Sequence, residues 1–115
     1  MNQKEAYLQR NIREYYSEGN NVLGRGSYNT AVSIFFKALA VLADFIILAD
    51  EGFIPKSHTE RFRILKTRYP EIYSVLDKDF PSYQQSYEVI MTKETAEAIK
   101  EDVRKLAQKI GFKLD

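Results

Sequence analysis

The chain contains no cysteine, no tryptophan and a single histidine, His58. Without cysteine there is no disulfide, no thiol nucleophile and no thiolate metal site. One imidazole with no thiolate beside it is a poor ligand set for a transition metal, so neither metal nor cofactor is expected. Proline and glycine are scarce, three and five residues, and sit mostly at joints between periodic segments. No run alternates as a strand would. Charge of one sign is lacking too. Seventeen Lys and Arg oppose sixteen Asp and Glu, a net charge of +1. That balance argues against strong non-specific nucleic-acid binding. No Walker loop or dinucleotide fingerprint is present, and Gly24-Arg25-Gly26 is too short to count as one. The first sixteen residues carry charges throughout and hold no apolar core of signal-peptide length. The most apolar stretch, Val32 to Ala49, is interrupted by Lys37 and Asp44, which makes it a poor membrane span. A cytoplasmic protein with no membrane partner is the expectation.

What is present is a globular balance of 44% hydrophobic and 29% charged residues in 115 positions, enough for one domain spanning residues 1–115. Leu8, Ile12, Tyr15 and Tyr16 form a helical stripe, which predicts a first helix from about Gln3 to Glu18, ended by Gly19-Asn20-Asn21. A second helix is expected over about Ser27 to Asp50, capped by Ser27. Ser57 and Glu60 make a capping box that opens a third, with Phe62, Leu65 and Tyr69 on its apolar face. Pro70 is placed to start a segment through Phe80, and Pro81 to punctuate it. Thr92 is the expected cap of the last helix, whose stripe is Ile99, Val103, Leu106 and Ile110, and Gly111 its stop. Together these predict an all-α fold, an antiparallel up-and-down four-helix bundle with an extra short helical segment.

The second helix is the most informative. Phe35, Leu39, Leu42, Ile46 and Ala49 make its main face, and Val32, Phe36, Ala43, Phe45 and Ile47 widen it. Ser33, Lys37 and Asp44 fall within a sector of about 40°. A helix apolar around most of its perimeter is buried on more than one side. Either it is the central helix or it is shared with a second copy. Val41, Ile47 and Leu48 need a cover, and a homodimer through this helix is the expectation. Lys37 and Asp44 lie about 10 Å apart by helical rise and cannot pair with each other. They form either a strip open to solvent or a polar seam in an interface.

Several residues are candidates for chemistry. His58 could act as a general acid or base, but no oriented partner is visible in the sequence, and a histidine packed at a helix start is the preferred reading. Lys56, Arg61, Arg63, Lys66 and Arg68 are basic but occupy two helix faces, which argues for a solvated surface. Tyr69, Tyr73, Tyr83 and Tyr87 can stack on a base or fill a core edge with the hydroxyl outward, the latter being favoured. The candidate ligand or interface residues are therefore Ser33, Lys37, Asp44, His58, Arg61, Tyr83 and Tyr87, with no catalytic or metal-binding set.

The order of elements from about Ser27 to Ile110 resembles the HEPN family of small helical proteins. The resemblance rests on Ala38-Leu39-Ala40-Val41-Leu42, on the turn Pro55-Lys56-Ser57-His58, and on Tyr87 shortly before Thr92-Lys93-Glu94. It implies an antiparallel helical bundle, frequent dimerisation, and work in nucleotide or RNA biology. Some members accompany a minimal nucleotidyltransferase, as a binding subunit or as half of a toxin–antitoxin pair. Others are metal-independent ribonucleases marked by an Arg followed, four to six residues on, by His. Here Glu51, Gly52 and Phe53 hold the positions where that Arg would precede His58, and Tyr83-Gln84-Gln85-Ser86 lacks the Arg that often precedes the tyrosine matched by Tyr87. The reading is a non-catalytic binding subunit for a nucleotide or a nucleotidyltransferase partner. An atypical ribonuclease and a purely structural dimerisation module are the alternatives.

Overall fold

The computed structural model describes residues 2–115, and every element in them is helical. The helices are α1 (Gln3–Gly24), α2 (Tyr28–Glu51), α3 (His58–Arg68), α4 (Pro70–Gln85) and α5 (Lys93–Lys109). Local chemistry accounts for most of their ends. The Ser57 side chain accepts from the Glu60 N–H at 3.1 Å, and the Glu60 carboxylate accepts from the Lys56 N–H, one residue further back than the usual box. Pro70 is the first residue of α4, where its missing N–H leaves nothing unsatisfied. Thr92 accepts from the Thr95 N–H at 3.1 Å. Gly52 closes α2 with φ +90, a conformation that a side chain resists. Ser27 precedes α2 but makes no side-chain cap bond.

Two expected breaks are absent, each for a tertiary or geometric reason. α1 continues through Gly19-Asn20-Asn21 to Gly24. Gly19 is buried, and a Cβ there would lie 2.4 Å from the Phe35 ring. It is a glycine of close helix approach: α1 packs onto α2 with an aromatic ring where a side chain would stand. Pro81 likewise lies inside α4, which runs on to Gln85. A proline forfeits one backbone donor there, yet its φ is compatible with the helix.

α2 is the hub, packed against α1, α3, α4 and α5. Val32, Phe35, Phe36, Leu39, Leu42 and Ile47 on it are fully buried. Of the two covers open to this helix, the same chain provides one: Ile47 and Leu48 are buried and Val41 half-buried within it. Among the described residues α2 is also the one helix long and apolar enough to cross a membrane, but most of that stretch is buried inside the fold.

Candidate functional site

The seven candidate residues lie along one continuous path from the interior to the surface. It begins at Asp44, which the fifth turn of α2 carries into the junction with α3, 5% exposed. Arg61 of α3 meets it in a bidentate ion pair: Nε donates to Oδ1 at 2.7 Å and an Nη to Oδ2 at 2.9 Å. The other Nη lies 2.8 Å from His58 Nδ1 and donates to it, which leaves the His58 proton on Nε2. This corrects two expectations. Asp44 belongs to no solvent strip, and Arg61 is no solvated surface base, being 9% exposed. Nor does Asp44 need a second chain, because its partner comes from the same one.

Burial is the largest influence on the Asp44 carboxyl and pushes it above the usual range, against the pull of Arg61. His58 is held below its ordinary value, first by desolvation and then by the Arg61 cation, with Asp44 opposing. A neutral ring accepting from a guanidinium fits that direction.

From His58 the path becomes aromatic. Its ring sits 5.9 Å from Tyr83 and 5.4 Å from Phe80, edge-on and tilted. Phe36 of α2 stacks on Tyr83 at 4.8 Å with the planes 20° apart. Phe62 closes the cluster against Phe80. The packed reading of His58 and the core-edge reading of Tyr83 both fit these contacts.

The path ends at Tyr87, in the turn after α4 and 67% exposed. Its phenol oxygen is 3.1 Å from that of Tyr83, so the two share one hydrogen bond. Burial, then Tyr87, pushes the Tyr83 phenol up to about 12, whereas the bond to Tyr83, then Ser33 and Lys37, draws Tyr87 below its ordinary value. Of this pair, the outer phenol ionises first. Lys37 is exposed and also lines an open groove of about 910 Å³ between α1 and α2, together with Arg10, Arg13, Tyr15 and Ile34.

The turn carrying Tyr87 is fixed by a residue the sequence did not single out. Asn29, in the first turn of α2, donates to the carbonyls of Ser86 at 2.8 Å and Val89 at 2.7 Å. Its carbonyl accepts from the Met91 N–H at 2.9 Å. Nothing in the local pattern marks Asn29, since its partners lie about sixty positions away. Asp79 and Asp102 were also missed. Asp79 does carry a signal, a carboxylate on the apolar stripe of Ile72 and Leu76.

Comparison of the chain with protein-family models, curated proteins and solved structures returns no match.

Proposed function

We propose that this chain is a non-catalytic, HEPN-like binding subunit, acting on a nucleotide or on a minimal nucleotidyltransferase partner, in a context such as a toxin–antitoxin pair. The observation that carries the reading is the outer end of the path: an exposed Tyr87 ring whose phenol feels the Ser33 hydroxyl and the Lys37 charge on the facing side of α2. A ring face stacks on a planar base, and an ammonium and hydroxyl beside it suit a phosphate. The inner end supports the non-catalytic part. All three nitrogens of the Arg61 guanidinium are engaged by Asp44 and His58, so it has little left to offer a reacting phosphate. The bundle topology of the reading, four principal helices running up and down, is supported by short joints and by the way α1, α4 and α5 all pack on α2. A cytoplasmic location and a homodimer belong to the same reading. The dimer would use the half-buried apolar strip of Ile34, Val41 and Phe45, because most other large apolar side chains of α2 are buried within the chain.

The test is an NMR titration with ATP. Binding should shift the Tyr87 ring and Lys37 side-chain resonances, and Tyr87→Ala should weaken affinity at least fivefold. No shift at either residue up to millimolar ATP removes the nucleotide limb of the reading. RNA cleavage that His58→Ala abolishes would overturn the non-catalytic assignment.

A further inference from the structure

Asp79 follows Ile72 and Leu76 on the buried face of α4 and is itself 7% exposed. Across the seam, α5 presents Asp102, whose side chain is 12% exposed. Lys78, the chain neighbour of Asp79, reaches Asp102, which brings the two acids to one seam where each carboxyl acts on the other. One oxygen of each, Oδ2, is closed off from solvent and receives no aligned hydrogen bond from any donor. Lys78 Nζ lies 2.9 Å from Asp102 Oδ2, a meeting by distance rather than alignment, and its own side chain is 63% exposed. Two carboxylates contain no donor, so the contact between them is attractive only while one proton is held there. One partly solvated ammonium offsets at most one of two negative charges. Of the charged groups on the helices packed against α4, Asp44 pairs with Arg61, Glu51 with Arg68 and Tyr69, and Arg104 with Glu101 and Tyr16, while Lys109 of α5 pairs with Glu71 of α4, an exposed ion pair that links the same two helices two turns away from Asp79.

We propose that Asp79 and Asp102 form a proton-operated latch that holds α4 to α5 and sets the position of the Phe80–Tyr83 cluster. Closed, the latch is one carboxylic acid donating to one carboxylate. Loss of that proton to water leaves two carboxylates facing across a buried seam, and α4 relaxes away from α5. Phe80 follows Asp79 directly and Tyr83 follows it by one helical turn, so both move with the helix. The latch does not rest on any ligand for Tyr87.

Burial, then the hydrogen bond and negative charge of Asp102, push Asp79 from its ordinary 3.8 up to about 8, with Lys78 opposing. The unfolded chain releases this proton near its ordinary value, and the folded chain keeps it until about 8. The stabilisation is therefore complete in acid and is lost as pH rises through that interval. The latch is closed at neutral pH and opens just above it.

The experiment is carboxyl carbon NMR of the full chain from pH 5 to 10, followed together with the Phe80 ring and the α5 amides. The expected result is an Asp79 titration near 8, with Phe80 and α5 following the same midpoint. Asp79→Asn, which can still donate to Asp102, should abolish the Phe80 and α5 steps, while any step due to the Tyr87 phenol survives. If Asp79→Asn does not fold, Asp102→Asn should lower the Asp79 midpoint by more than one pH unit. An Asp79 midpoint near 4, a Phe80 ring that stays flat through the Asp79 titration, or a midpoint unmoved by Asp102→Asn overturns the latch.

Discussion

Asp44 and Asp79 are both carboxyl groups driven into the interior, and the fold treats them in opposite ways. Asp44 meets a guanidinium at the α2–α3 junction, and its charge is neutralised by a fixed, bidentate partner. Asp79 meets a second acid at the α4–α5 seam, where the fold relies on a retained proton. An ion pair carries its own counter-charge and needs no shared proton to hold it. An acid pair is conditional. The C-terminal half of α4 thus leans on both, on the ion pair through the rings around His58 and on the acid pair through Asp79.

The largest effect should come from breaking the ion pair. Arg61→Leu leaves Asp44 buried without compensation and should cost about 3–5 kcal/mol in urea unfolding. Adding Asp44→Leu should recover most of that loss. A double variant no more stable than the single one would show that Arg61 acts by packing rather than charge.

A smaller effect separates the two regions by the sign of their pH dependence. His58 has a folded value below its ordinary 6.5. Protonation therefore favours the unfolded chain: the stability it contributes is present above 6.5 and is lost as pH falls below it. The latch has the reverse slope. Unfolding midpoints of wild type and His58→Asn should diverge below pH 6.5 and run parallel between pH 7 and 8. Parallel curves throughout would remove His58 from the account.

The smallest effect is at Lys78. Its side chain is 63% exposed, so screening limits its worth. Lys78→Met should cost under about 1 kcal/mol at pH 6. It should nonetheless sharpen the latch, because Lys78 draws the Asp79 value down and its removal lets that value rise. A falling Asp79 midpoint in Lys78→Met would contradict this electrostatic assignment.

Much of the secondary structure was legible in the sequence, because caps are local. Ser57 with Glu60, Pro70, Thr92 and Gly111 all lie within one turn of the ends they define. Gly19 was misread because its reason lies on another helix: only the approach of Phe35 distinguishes a packing glycine from a breaker. Asp44 and Arg61 were both singled out, but their pairing depends on how α3 folds back over α2, which periodicity does not specify. Asp79 and Asp102 each look ordinary alone. Only the α4–α5 seam makes them a pair, although a carboxylate in register with Ile72 and Leu76 was a usable warning.

The three bonds that Asn29 makes to Ser86, Val89 and Met91 have a kinetic consequence. A surface turn bearing Tyr87, Val89 and Ile90, the last 92% exposed, would ordinarily sample many shapes and lose that freedom on meeting a partner. Here the ordering is done during folding, by one amide from the far end of the chain. A molecule that docked there would meet rings and methyl groups already in their final arrangement, so its encounter need not wait for rearrangement. The same tether dates the turn in the folding sequence: it can take shape only after α2 and the segment leading into α5 have come together.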